Sequence, residues 1–290
     1  CSSDLNISVT SSNAEDVEAM LVNDCSICDV HGFLVAEELG GAARESGEEG
    51  ESESTERRGR GRRRAEGQER VPPPRRESLI KFSFAAPPEE LVVGALGRYL
   101  PVKYSVTHNR VSPEFMMVFK REYSTLEFTW QAVLDVASIG RSQLERDVSS
   151  NVWLGKPLVN DGCELARRGM AAVLAFKALL GGWLGANTSR AQPISRVREL
   201  VAVLATRSIP MPLHPFYKDY ALDLAELLKR YQDRVDSVYY LEGGMFASQV
   251  SEVRSLLGDK LKPARGYSVL LEQVAERVKE ILSGNACRQL

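Results

Sequence analysis

The one ligand-like spacing in this 290-residue chain is Cys25-Ser26-Ile27-Cys28, with His31 following. Two thiolates two residues apart, with an imidazole beyond, could offer three ligands to zinc. The sequence holds no second Cys-x-x-Cys, and no fourth ligand stands nearby. Cys25, Cys28 and His31 are therefore expected to be ordinary residues of a short docking segment, and no metal site is expected. A thioredoxin-like role is weaker still, because no βαβ pattern surrounds the pair. His108 and His214 complete the three histidines, which restricts general-base schemes. Gly-x-Ser-x-Gly, His-Glu-x-x-His and a Walker-type glycine run ending in Lys-Ser/Thr are all absent. Gly181-Gly182-Trp183-Leu184-Gly185 ends an apolar helix, and Glu37-Glu38, Glu89-Glu90 and Asp219 with Asp223 read as solvated helix faces. The expectation is a chain with no catalytic residue, no cofactor and no small-molecule ligand.

Arginine supplies the strongest functional hint. Arg57, Arg58, Arg60, Arg62, Arg63 and Arg64 are interleaved with Gly59 and Gly61. Guanidinium groups bridge phosphates bidentately and stack on bases, so this run resembles an RNA- or DNA-contacting segment as much as a nuclear-import signal. No Phe or Tyr is interleaved for stacking, and Glu45, Glu48, Glu49, Glu51, Glu53 and Glu56 directly upstream compete for the same arginines. A self-neutralising linker is the plainer reading. Ser78 follows Arg75 and Arg76, and Ser46 precedes Glu48 and Glu49, so both match kinase-site patterns.

These candidates belong to a chain of unremarkable balance. Its net charge is −2, with 43% hydrophobic and 26% charged residues, so no whole-protein field attracts nucleic acid or an acidic membrane. Five cysteines, Cys1, Cys25, Cys28, Cys163 and Cys287, do not read as a disulfide framework and favour a reducing intracellular compartment. Nuclear is favoured over cytoplasmic on the arginine run. The chain opens on Cys1, which leaves organelle targeting open. Asn6 and Asn187 match the glycosylation sequon as chance triplets do. Residues 169–186 are apolar, but Lys177 stands near the middle, so a buried helix is expected and no membrane span.

Four regions must position these residues. Residues 1–39 carry an amphipathic stretch, Ala14 to Val22, with too little apolar surface to fold alone, and read as a docking segment. Residues 40–77 pass from acidic to basic and close on Pro72-Pro73-Pro74-Arg75-Arg76. With almost nothing to bury, ordering them would cost entropy without offset, so disorder is expected. Residues 78–153 read as a small α+β module. Strands are expected at Leu79–Phe84, Val102–Thr107, Phe115–Phe119 and Leu126–Trp130, with helices from Pro87 and over Leu144–Trp153.

Residues 154–290 read as a helical bundle. Leu165 to Leu184 forms an apolar helix, and Ser195 caps another carrying Val197, Leu200, Val201 and Leu204. Tyr217, Ala221, Leu224, Leu228, Tyr231, Val235 and Val238 step by four and three, as do the apolar residues from Phe246 to Leu257 and from Tyr267 to Ile281. Three stripes between Gly/Pro breaks predict antiparallel helices. Tyr220, Tyr239 and Tyr240 lie off the main stripe and are candidates for a protein interface. The fold expected is α+β and mainly helical: a small antiparallel-sheet module, then a C-terminal bundle, behind a disordered charged linker. The function expected is a non-catalytic subunit or adaptor with protein partners. The alternatives are a nucleic-acid-binding protein using the arginine run and an enzyme with a site assembled from distant residues.

Overall fold

The computed structural model describes residues 13–34, 75–91, 102–107, 117–122, 127–146, 154–182 and 196–284. Helices and small sheets are mixed, in keeping with an α+β chain. Contacts divide the chain into two compact units. One comprises residues 1–80, 135–168 and 283–290; the other comprises residues 81–134 and 169–282.

The first unit opens with helix α1 (Ala14–Asp24), where the Asn13 side chain accepts the Glu15 N–H at 3.2 Å. This is the amphipathic stretch of the sequence. Helix α2 (Ser26–His31) follows at once. Strand β1 (Phe33–Leu34) then pairs antiparallel with β2 (Arg75–Arg76), setting Phe33 opposite Arg76. Arg75 and Arg76, read from sequence as the close of the charged segment, are thus strand residues, and Arg76 is buried.

Strands β7 (Arg141–Arg146) and β8 (Gly155–Pro157) pair antiparallel in the same unit. Leu144 therefore lies in a strand where the sequence predicted a helix. Helix α3 (Gly162–Leu180) brings Glu164 and Arg168 to this unit. Val17, Leu21, Cys25 and Cys28 form an apolar cluster. At Gly140 the backbone φ is 69°, and a Cβ would meet Leu165 Cδ2 at 2.3 Å. Only glycine fits there.

In the second unit, β3 (Ile80–Phe82) pairs with β6 (Ala132–Leu134), and β4 (Val102–Thr107) forms an antiparallel hairpin with β5 (Met117–Glu122). Residues 127–130 approach the 83–86 segment through a single bridge, Ala86 to Thr129. The C-terminal part is a three-stranded sheet in the order β11-β10-β9, flanked by helices. Strand β9 (Val201–Ala205) runs antiparallel to β10 (Val235–Leu241), and β11 (Leu261–Ala264) runs parallel to β10. Helix α4 (Tyr220–Arg230) links β9 to β10, α5 (Val250–Leu257) forms the crossover to β11, and α6 (Tyr267–Ser283) follows.

This corrects the C-terminal bundle. A helix occurs at each of the three expected stripes, but the longest stripe is broken. Its first part is α4, whereas Tyr231 is a turn residue and Val235 and Val238 are strand residues. Val201 and Leu204 are likewise strand residues, not helix. The physical reason is that β10 is covered on both faces, which makes its sequence a near-continuous apolar run without period-two alternation. Val238 and Tyr240 join Leu224, Leu228, Phe246, Val250 and Val253 in one core cluster. Asp236, on the same strand, is held by Arg277 of α6 at 2.6 Å. Among the described residues, no helix is long and apolar enough to cross a membrane. Lys177 instead pairs with Glu272 at 2.5 Å.

Candidate functional site

Three of the sequence candidates change character once placed. Tyr220, Tyr239 and Tyr240 are 7%, 5% and 6% exposed, so they are core residues and not an interface. Tyr240 packs edge-on against Phe246, centroids 5.8 Å apart. Tyr239 and Tyr240 look off-stripe only if the segment is helical; on a doubly covered strand both faces are inside.

The Cys25, Cys28 and His31 cluster does not converge either. Cys25 caps α2, its Sγ accepting the Cys28 N–H at 3.0 Å. Both thiols are buried, while His31 is exposed. Burial first, then the neighbouring Cys25, pushes the Cys28 thiol up to about 12, which keeps it protonated and a poor ligand. Among the described residues, no group of three or more His, Cys, Asp and Glu side chains is placed to hold a metal ion. Ser78 is half-buried, and its Oγ donates to the Ile80 carbonyl at 2.8 Å. Ser46, Asn6, Asn187, His108 and Arg57, Arg58, Arg60, Arg62, Arg63 and Arg64 lie outside the described residues.

The first unit is organised by a buried ionic network. Arg76 reaches Glu18 Oε1 at 2.9 Å and Asp29 Oδ1 at 2.6 Å, with all three side chains at most 1% exposed. Its remaining N–H groups donate to the carbonyls of Asp29 at 2.9 Å, Arg141 at 2.7 Å and Ser138 at 3.4 Å. All five guanidinium donors are thereby used. Asp29 Oδ2 also accepts from Gly140 N at 2.9 Å and Arg168 Nη1 at 3.0 Å. Glu18 accepts the Ser142 hydroxyl at 2.5 Å and the Gln143 N–H at 2.7 Å. Two cations thus balance two carboxylates out of water. Burial opposes the charge on Arg168, but its bonds to Glu164 and Asp29 outweigh this and raise its pKa above the ordinary value. Nothing in the network is open to substrate; it holds the N-terminal helices to β2 and α3.

The second unit carries the exposed feature. Phe84 is 96% exposed, Phe82 55% and Phe128 47%. Phe82 lies 5.6 Å from Trp130 and 5.7 Å from Phe176, and the Trp130 and Phe176 rings are near parallel at 6.2 Å. Phe82, Ser83, Ala85, Trp130, Leu179 and Leu180 line a shallow cavity of about 360 Å³. Exposed aromatic side chains beside such a cavity make this a candidate interaction site. The sequence reading took these residues as ordinary strands. The signal that could have found them is a pair of aromatic-x-aromatic triplets, Phe82-Ser83-Phe84 and Phe128-Thr129-Trp130. Backbone bonds hold the two segments together, Ser83 N–H to the Gln131 carbonyl at 2.9 Å, Ala86 N–H to the Thr129 carbonyl at 3.0 Å and Thr129 N–H to the Ala86 carbonyl at 2.8 Å.

Beneath this face, Ser83 Oγ and His214 Nε2 are 2.9 Å apart. The pair invites comparison with a nucleophile and its base, but the hydrogens run the wrong way. Phe216 N–H donates to His214 Nδ1 at 3.0 Å, so the neutral ring carries its hydrogen on Nε2 and donates it to Ser83. Ser83 Oγ also accepts the Gln131 N–H at 2.8 Å and donates to the Phe84 carbonyl at 3.2 Å. A serine activated by histidine needs the opposite, its hydroxyl donating to a free ring nitrogen. The arrangement supports a structural role. It ties the proline-rich stretch 210–216 to the aromatic segments, as do the bonds from Gln131 Nε2 to the carbonyls of Pro212 at 3.1 Å and Leu213 at 2.8 Å.

Comparison with known proteins decides the family. A family model described as the CRISPR-associated negative auto-regulator DevR/Csa2 matches residues 3–225. The chain belongs to this family. The match takes in the arginine run, the aromatic face and the Ser83–His214 pair. A CRISPR-associated protein Cas7/Cst2/DevR of Methanocaldococcus jannaschii is 30% identical over 203 residues, covering 64% of this chain and 60% of that protein. A protein of the same description from Thermoproteus tenax is 35% identical over 172 residues, covering 54% of this chain and 48% of that protein. The chain therefore aligns with between about half and three-fifths of the length of these relatives. A CRISPR-associated family lends no support to nuclear import, and that reading of the arginine run is withdrawn.

Proposed function

We propose that this chain is a non-catalytic subunit of an intracellular CRISPR-associated assembly, docking on a protein partner through the Phe82, Phe84, Phe128 and Trp130 face. The observation that carries the reading is the exposure of Phe82, Phe84 and Phe128 on two hydrogen-bonded segments, with Phe82 and Trp130 lining a shallow cavity. In water such surface is unfavourable by roughly 25 cal/mol per Å², and covering it by a partner recovers that energy. Aromatic side chains are also the residues that dominate protein interfaces. The orientation of the Ser83–His214 pair supports the absence of serine-type catalysis. Partner contact is thereby relocated from the tyrosines of the sequence reading to these rings.

A second contact, with nucleic acid through Arg57, Arg58, Arg60, Arg62, Arg63 and Arg64, is favoured by one further observation. The match to a CRISPR-associated family extends across that run.

Replacing Phe82 and Phe84 together with Ser tests the docking face. The variant should recover at least about tenfold less partner from native extract, and Phe84→Ser alone, at a ring that is 96% exposed, should show a loss in the same direction without a change in stability. Equal recovery of partner would remove this face from the account.

A further inference from the structure

We propose that the outer edge of β9 is a strand-addition site for an extended segment of another protein, apolar at alternate positions and acidic at its ends. The inference goes beyond the aromatic face and does not rest on it. Strand β9 is the last of its sheet, so its backbone is paired on one side only. The Leu241 N–H donates to the Leu200 carbonyl at 3.1 Å, and the Thr206 N–H to the Arg234 carbonyl at 2.8 Å. Antiparallel bonds alternate along a strand. Ala202 and Leu204, opposite Tyr239 and Ser237, therefore also turn their backbone groups toward β10. Val201, Val203 and Ala205 turn theirs outward. Among the described residues, no backbone group donates to or accepts from them there. Such a row of open donors and acceptors is a template for a further strand.

The two edges of the sheet are guarded differently. Strand β11 carries Lys262 and Pro263, a charge and a missing donor that both oppose pairing. Strand β9 reads Val201-Ala202-Val203-Leu204-Ala205 and has neither. Val201 and Val203 pack against the core cluster of Leu224, Val238 and Phe246, so the edge is held in place before a partner arrives. Charge then selects the occupant. Arg196 and Arg198 precede the strand and Arg207 follows it, all three exposed. Arg198 pairs with Glu127 at 2.8 Å, whereas no ion pair engages Arg196 or Arg207 among the described residues. Glu199 is turned to the N–H groups of Met245 and Phe246. A second copy on this edge would set arginine beside arginine in either direction of pairing, which is unfavourable. A different strand with Asp or Glu at its ends satisfies both the backbone and the cations.

The test is amide hydrogen exchange of the whole chain, alone and with a saturating synthetic peptide. The probe alternates Val and Thr between terminal Glu residues, and a control peptide carries Lys in place of Glu. In the free chain the Val201 and Val203 amides should exchange faster than those of Ala202 and Leu204, which the ladder holds. The Glu-flanked peptide should slow Val201 and Val203 about fivefold, the effect of one ordinary hydrogen bond at each, and the Lys-flanked peptide should not. Arg196→Glu with Arg207→Glu changes only exposed side chains and should swap the two peptides' effects. Slow Val201 and Val203 amides in the free chain, as pairing with the chain itself or with a second copy would give, would overturn the proposal. So would an absence of slowing with the Glu-flanked peptide, equal slowing with both peptides, or a preference that the double reversal leaves unchanged.

Discussion

Arg76 grips Asp29 twice, through Nη2 to Oδ1 at 2.6 Å and through Nε to the main-chain carbonyl at 2.9 Å, and neither side chain is accessible to water. The two residues are 47 positions apart in sequence, and the charged segment lies between them. Their bond therefore joins α2 to β2 across that separation in sequence.

Removing the cation should be costly. Arg76→Met leaves Glu18 and Asp29 buried with half their compensation, and breaking a buried pair from one side costs about 3–5 kcal/mol. Urea unfolding should show that loss, while Arg75→Met, at an exposed neighbour, stays within about 0.5 kcal/mol of wild type. Equal stabilities for the two variants would mean that the network is not what holds this unit.

Acid should weaken the C-terminal sheet through Asp236. The Arg277 guanidinium beside it holds the carboxyl below the usual aspartate range, burial only partly opposing this. A depressed folded-state value means that the unfolded chain takes up the proton first as pH falls. The contribution is complete above the unfolded value of about 3.9 and is lost as pH falls through the folded value. Asp236→Asn should lose stability at neutral pH and show a shallower acid-side decline. An acid decline as steep as that of wild type would contradict the assignment.

Tyr240 separates the core reading from the interface reading. Its ring is buried against Phe246, so Tyr240→Ala should cost about 3–5 kcal/mol, as large-to-small changes at buried aromatics do. A variant of wild-type stability that failed only in partner capture would restore the interface reading.

The arginine run makes a salt-dependence prediction. Neutralising its six arginines should flatten the salt dependence of single-stranded RNA binding, since each phosphate contact contributes about −0.7 to the log–log slope. Binding that keeps its slope after neutralisation would assign the contact to other residues.

The legibility of the sequence followed local physics. Ala14–Asp24 and Tyr267–Ser283 were readable because each buries one stripe of a helix, and period alone identifies that. Val235–Leu241 was not readable, because a strand covered on both faces has no alternation and its apolar spacing happened to continue the helical steps of α4. The Arg76 network was hidden because its partners are distributed over residues 18 to 168. No local pattern distinguishes the buried Arg76 from the exposed Arg75 beside it. Phe82, Phe84, Phe128 and Trp130 were legible as strand formers. Their exposure depends on what the fold leaves uncovered, which composition does not encode.

The most direct test of the central claim is native mass spectrometry of the tagged wild-type chain recovered from its own cell extract, with and without nuclease treatment. A subunit docked through the aromatic face should carry protein partners in fixed ratio that survive nuclease. Recovery of the chain alone under both conditions would contradict the account.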